Sequence, residues 1–336
     1  MERPSGDALM DFANIGCSPL KASRVGLGCM ALTGVYGEIS VTQAREVLLA
    51  AVDAGINFFD TADVYGNGEN ERLIGETLRP VRNKVIIATK GGATRDQDGK
   101  QTNDGSPAYL RQACEASLKR LGVERIDLYY LHRIDRAVAI EDSVGELSRL
   151  VEEGKIAAIG LSETNVHTLR RAHLVHPIAA LQTEYSLACR FPEEEILPVC
   201  RELGVSFIAY SPLGRGLLSG SLPGNREFAE GDMRRNIPRF QNENLGSNLK
   251  TAARLRELAA ELDLEPSQLA LAWVMSHPTQ PLVIPGTRDP VRVRENAQAA
   301  MIALPRSVID TLDVLFAAGI IQGERHTAHM LSRTGL

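Results

Sequence analysis

An alternation constrains this chain more than any other feature. Eight short apolar runs, most of them followed by a longer stretch with helical periodicity, occupy most of its 336 residues. The runs fall at residues 24–29, 56–59, 85–89, 126–131, 157–161, 179–184, 206–210 and 281–284. They lack period-two alternation, the pattern of strands buried on both faces of a parallel sheet. Between them, residues 42–54 open on Thr42 as a candidate cap and end before Gly55; residues 106–121 open on Ser106-Pro107 and stop at Gly122; residues 140–153 stop at Gly154. Such signals have a mechanism, since side-chain caps satisfy orphan N–H groups, proline pre-sets the first turn and glycine permits a left-handed exit. Repeated βα units imply parallel strands joined by right-handed crossovers. Eight in one chain predict a closed (β/α)8 TIM barrel (fold class α/β) rather than a doubly wound sheet.

No break in composition marks a second domain, so residues 1–336 read as one barrel domain. The barrel takes about residues 22–303, with an N-terminal segment 1–21 and a C-terminal helix and tail 304–336. One connection, residues 211–247, is rich in Gly, Pro, Arg and Asn and exceeds the usual loop length; such loops tend to be functional lids. The segment up to Pro19 and the tail after Ala318 are expected to cover ends of the barrel. A hydrophobic fraction of 44% and a charged fraction of 24% suit a large core. The formal charge of −5 and clusters as short as Arg234-Arg235 give no basis for nucleic-acid binding. The opening "MERPSGDALMDFANIG" lacks the charged-then-apolar pattern of a signal peptide, and no stretch approaches the roughly 18 apolar residues of a membrane span. Five cysteines, at 17, 29, 114, 189 and 200, form no C-x-x-C pair, which argues against a disulfide framework or zinc knuckle and fits a reducing cytoplasm. Cys29 reads as a small packed hydrophobe. No helix face shows a seam that would specify an oligomer.

In a barrel of this kind, reactive residues stand at the C-terminal strand ends. Asp60 ends the second run and Tyr65 lies in its loop, Lys90 ends the third, and His132 ends the fourth. These four suit delivery of a proton to a carbonyl oxygen while a hydride reaches the carbon. A phenol of pKa near about 10 is a weak acid at neutral pH. An ammonium about 4 Å away, at an effective dielectric near 20, favours the phenolate by roughly 4 kcal/mol, or about three pKa units before desolvation. The expectation is that Lys90 brings Tyr65 toward the working pH, Asp60 keeps Lys90 charged, and His132 binds the substrate oxygen or orients the phenol.

The motifs "FFDTADVYG", "LHRID", "GLSE", "QTEYS", "AYSPLGRG" and "IPGTR" follow in the order of the aldo-keto reductase superfamily, which the chain resembles from about residue 22 to 324. The resemblance is to the branch of bacterial and plant-type NADPH-dependent reductases. It implies metal-free reduction of aldehydes and ketones, with Asp60, Tyr65, Lys90 and His132 as the catalytic tetrad and Tyr65 as the acid. It also implies that Met30 and Asp60 border the cofactor, that Ser162 and Gln182 hold the nicotinamide carboxamide, and that the ring stacks on Tyr210. Ser211, Leu213 and Arg215 would pass the pyrophosphate, although Ser211 and Gly214 also read as turn residues. Gly286, Thr287, Arg288, Arg292, Glu295 and Asn296 would surround the adenosine phosphate and adenine, where a helix N-terminus and guanidinium forks suit phosphate. NADPH is expected over NADH. Where many relatives carry asparagine after the serine this chain has Glu163, and where some carry lysine it has Gly286; Arg294 reads as a solvated helix face.

Other readings compete. "VGLGCMA", residues 25–31, fits a loose dinucleotide fingerprint, but that motif requires a helix to begin there and "LTGVYGEIS" reads as a loop. Only His132 among seven histidines ends a strand, and His173 and His176 read as surface residues on a helix, which disfavours a metal-dependent hydrolase. A regulatory, NADP(H)-binding redox sensor with little turnover is the alternative function. Substrate choice is expected in residues 31–39, residues 211–247 and the tail, with Tyr36 and Phe240 as candidate apolar walls.

Overall fold

The computed structural model describes residues 10–95, 100–222 and 228–336. The opening residues 1–9 and residues 223–227 of the long connection lie outside the described residues. Eight parallel strands form the barrel: β1 Leu27–Gly28, β2 Phe58–Asp60, β3 Ile86–Gly91, β4 Ile126–Leu131, β5 Ile156–Ser162, β6 Ile178–Glu184, β7 Ser206–Tyr210 and β8 Leu282–Ile284. Each pairs with its successor in sequence. Closure between β8 and β1 rests on a parallel bridge from Val25 to Val283 and on Gly26 N–H donating to Val283 at 2.8 Å. The backbones approach closely here: a Cβ on Gly286 would lie 2.8 Å from the Gly28 carbonyl oxygen, so a glycine at 286 suits the closure.

The strands are buried on both faces, as their unalternating runs predict. Successive side chains point to opposite faces. One set, including Phe58, Ala88, Leu128, Ala180, Ile208 and Ile284, packs inside the barrel, while the other packs on the helices. Gly160 leaves room for the buried Tyr130 ring, which a Cβ there would meet at 2.3 Å. Phe58 is 0% exposed, so truncation to alanine would cost about 3–5 kcal/mol.

The crossover helices follow the expected caps with one shift. α1 spans Val41–Asp53, and Ser40 rather than Thr42 caps it, because Ser40 is extended and exchanges hydrogen bonds with Gln43 in a capping box. After β2 comes α2, Glu69–Leu78. In α3, Pro107–Leu121, Ser106 is the cap and Gly122 the left-handed exit, while α4 spans Ile140–Glu152, α5 Val166–Val175 and α6 Ile196–Leu203. Two helices, α7 Asn242–Glu261 and α8 Pro266–Met275, separate β7 from β8, and α9 Pro290–Gln298, α10 Arg306–Leu315 and α11 Ala328–Ser332 complete the chain. The long connection therefore ends at Gln241, earlier than expected, since α7 absorbs Gly246 within its first turns. After β1, Cys29–Thr33 forms a 3-10 turn rather than the α-helix a dinucleotide fingerprint needs.

Both ends of the barrel are covered. An antiparallel hairpin, Phe12–Asn14 with Lys21–Ser23, closes the N-terminal ends, where Ser206 Oγ accepts from Gly16 N–H at 2.8 Å. A second hairpin, Ala93–Arg95 with Gln101–Asn103, rises from β3 beside the mouth. The tail crosses the mouth and pairs Gly335 with Thr164. Among the described residues no helix is long and apolar enough to cross a membrane.

Candidate active site

Strand parity carries the candidate residues to one place. Asp60 is two residues beyond Phe58, Lys90 two beyond Ala88, and His132 two beyond Tyr130, so all three share the inward face at the C-terminal ends. Register sets Asp60 beside Ala88 and Lys90 beside Tyr130. Tyr65 arrives from a turn after β2 in which Gly66, Asn67 and Gly68 all have positive φ (57°, 54° and 90°), a tight reversal that the Gly-rich "YGNG" permits. Lys90 Nζ donates to Asp60 Oδ1 at 2.5 Å and to the Thr61 carbonyl at 2.7 Å. From across the barrel, Gln182 Nε2 donates to Asp60 Oδ2 at 2.7 Å. The ammonium thus stands 5.3 Å from the centre of the Tyr65 ring. The Tyr65 ring meets His132 edge-on, at 6.1 Å and 82°.

Charge states follow from these contacts. Burial alone would lower the Lys90 ammonium, but Asp60 and Tyr65 raise it above its ordinary value, so it stays charged. Burial pushes the Tyr65 phenol above its ordinary value and outweighs the opposing pull of Lys90. The expected net drop toward neutrality is corrected accordingly: Lys90 limits a rise that desolvation imposes. His132 is held well below its ordinary value by burial and by Arg133, Lys90 and Arg333, which keeps the imidazole neutral. Its Nδ1 is buried without a partner. That leaves Nε2 as the ring nitrogen available to an oxygen in the cavity His132 borders.

A cavity of about 520 Å3 opens at this mouth, bordered by Tyr65 and His132. Met30, Ser162, Gln182, Tyr210, Ser211, Leu213, Arg215 and Gly286 line it too. Ser211 and Arg215 adopt left-handed φ of 49° and 54°, which folds "SPLGRG" into a compact turn at the rim. Arg215 is buried, 3.6 Å from Glu184 and 3.2 Å from the Tyr36 hydroxyl. Thr287, Arg288, Arg292, Glu295 and Asn296 do not line the cavity; the first three lie around the start of α9, and Glu295 and Asn296 in its second half. There Arg288 Nη1 donates to the Glu38 carbonyl at 3.1 Å, Arg292 Nη1 to Ser221 Oγ at 2.8 Å, and Thr287 Oγ1 accepts from Asp289 N–H. Asn296 is buried, and the Glu295 carbonyl accepts from Gln268. Tyr36 borders the cavity, but Phe240 does not: it is buried against Phe228, ring centres 5.7 Å apart. Cys29 is packed at 0% exposure, its thiol pushed up by burial.

Sequence reasoning put the tail near the mouth but named none of the tail residues that hold it there. Glu163 turns its carboxylate to Arg325 at 2.6 Å, and Arg325 also reaches Glu184 at 3.4 Å and the Tyr210 hydroxyl at 3.2 Å. His326 Nε2 lies 3.1 Å from the same hydroxyl. These buried contacts lock the tail over Tyr210. The only signal available was the departure at Glu163, a carboxylate where an amide was expected. Arg133 and Arg333 also line the cavity; Arg133 was visible inside "LHRID" but carried no assigned role.

The fold and the mouth define a barrel enzyme equipped for proton transfer, with no group of three metal-ligating side chains among the described residues. The family model of the aldo/keto reductase family matches residues 24–316, and the chain belongs to that family. It is 43% identical over 319 residues, 93% of this chain and 90% of the relative, to probable aldo-keto reductase 1 from Glycine max. Among solved structures it resembles the glycerol dehydrogenase AKR11B4 from Gluconobacter oxydans, with TM-score 0.83, 30% identity, and coverage of 95% of this chain and 98% of that one. It also resembles the holo form of the aldo-keto reductase AKR11C1 from Bacillus halodurans, with TM-score 0.76, 29% identity, and coverage of 95% and 99%. The chain is accordingly an NAD(P)H-dependent oxidoreductase acting on carbonyl compounds.

Proposed function

We propose that the protein reduces an aldehyde or ketone reversibly to the alcohol with NADPH, and that Tyr65 is the general acid. The observation that carries this reading is the buried Lys90–Asp60 pair, 5.3 Å from the Tyr65 ring centre by way of its ammonium, in the cavity that His132 also borders. Tyr65 gives its hydroxyl proton to the carbonyl oxygen as that oxygen gains negative charge. Lys90 stabilises the phenolate left behind, and Asp60 holds the ammonium in place against its own desolvation. His132, neutral, donates a hydrogen bond from Nε2 to the same oxygen. Tyr65 is protonated throughout the neutral range, and Lys90 offsets part of the rise that desolvation imposes on it.

Residues at the mouth fit a nicotinamide dinucleotide. Ser162 and Gln182 present a hydroxyl and an amide beside the Tyr210 ring, the turn from Ser211 to Arg215 borders the same cavity, and Thr287, Arg288 and Arg292 gather at a helix start. When bound, the nicotinamide supplies the hydride. Arg288 and Arg292 favour the extra phosphate of NADPH, supported by Glu295 and Asn296.

The test is NADPH oxidation across a panel of aldehydes and ketones, run beside NADH. Turnover of several carbonyl compounds, faster with NADPH, is the expected result. Tight NADPH binding with no turnover across the panel would favour the redox-sensing alternative instead.

A further inference from the structure

Beyond Tyr65 and His132 the cavity extends toward β3 and β4, and guanidinium groups line it there. Arg133 follows His132 at the end of β4, and Arg333 comes from the tail just past α11. Arg133 spends one nitrogen on the protein: Nη1 donates to the His132 carbonyl at 2.8 Å and to Ser162 Oγ at 3.2 Å. A guanidinium has five N–H donors, so those on Nε and Nη2 have no acceptor among the described residues. Arg333 is fixed but not neutralised. It donates to Asn103 Oδ1 at 2.8 Å, to Gln101 Oε1 at 2.7 Å and to the Thr102 carbonyl at 2.8 Å, all uncharged oxygens. Glu163, the carboxylate that feels Arg133, is committed to Arg325. The two arginines repel each other, and Arg333 is depressed by burial and by Arg133. Strand order in the closed barrel sets β3 and β4 across the mouth from β7 and β8, where the cofactor phosphates are proposed to sit. This positive wall therefore faces something other than the pyrophosphate.

We propose that Arg133 and Arg333 form a subsite for an oxyanion carried by the substrate, so that the preferred substrates are aldehydes or ketones bearing a carboxylate or a phosphate. Guanidinium forks match both anions. The inference rests on the reading of the Tyr65 mouth as the site of carbonyl reduction.

The experiment compares kcat/KM with NADPH within two pairs: 4-carboxybenzaldehyde against methyl 4-formylbenzoate, and glyceraldehyde 3-phosphate against glyceraldehyde. The anionic member of at least one pair is expected to lead by roughly tenfold or more, and the leading pair identifies the anion. That ratio should fall by roughly tenfold in Arg133→Gln and in Arg333→Gln, with Arg133→Lys intermediate. A ratio is unaffected by general loss of active protein. Ratios near unity in both pairs, or ratios that the substitutions leave unmoved, overturn the subsite. If no compound in either pair is reduced, the parent reading fails, and titration calorimetry decides the subsite separately. Terephthalate or glycerol 3-phosphate should then bind the wild type and lose at least tenfold affinity in Arg133→Gln; no binding, or equal binding to both proteins, overturns it.

Discussion

Lys90 and Asp60 form a buried ion pair, 2.5 Å between Nζ and Oδ1, with the lysine 1% and the aspartate 4% exposed in their side chains. Because Gln182 and the Thr61 carbonyl complete the hydrogen bonds around it, the charge near Tyr65 is fixed in position rather than carried on a mobile side chain.

Replacing Lys90 by methionine keeps the volume and removes the charge. Lys90 lowers the Tyr65 phenol against the larger raising effect of burial, so its loss must move the phenol further up. In alcohol oxidation, which needs the phenolate, the limb of kcat/KM that rises with pH should shift to higher pH in Lys90→Met. An unshifted limb would remove Lys90 from the proton path. The same substitution leaves Asp60 buried without its cation and should destabilise the fold by about 3–5 kcal/mol. Much of that loss should return in the double variant Asp60→Asn, Lys90→Met, as read by denaturant unfolding.

The tail lock should respond to acid. Burial alone would raise the Glu163 carboxyl, but Arg325 and Arg133 hold it below its ordinary value. Its contribution to stability is therefore fully present above the unfolded-state value of about 4.3 and is lost as pH falls through the lower folded value. At neutral pH Glu163→Gln should be less stable than wild type by about 3 kcal/mol, and thermal unfolding should show that gap closing as pH drops below about 4. A gap independent of pH would mean that the pair contributes nothing through ionisation.

Cofactor choice is expected to depend on the start of α9. Substituting Arg288 and Arg292 together by methionine should raise the KM for NADPH by roughly tenfold to a hundredfold and move the NADH value far less. An unchanged ratio of the two would place recognition of the phosphate elsewhere.

Much of this molecule was legible in the chain because burial and parity act locally. The runs at 126–131 and 206–210 became β4 and β7 with unchanged bounds, and counting two residues back from Lys90 or His132 reaches an interior apolar side chain. What escaped depends on distant partners. Asn103 was unremarkable until Arg333, 230 residues away, bonded to it. The hairpin of Ala93–Arg95 with Gln101–Asn103 carries no apolar alternation to betray it. Ser40 and Thr42 are both acceptable caps, and only the extended backbone at Ser40 with its partner Gln43 separates them. The sign of the Tyr65 shift depended on whether desolvation of the phenol outweighs Lys90, which the sequence does not state.

The most direct measurement is Tyr65→Phe, with NADPH affinity titrated by fluorescence and turnover of the best aldehyde followed by NADPH oxidation. Affinity within a few-fold of wild type is expected, with kcat lowered by about a hundredfold to ten-thousandfold, the range of a lost general acid. Normal turnover by this variant would contradict it, since the proton would then come from another group.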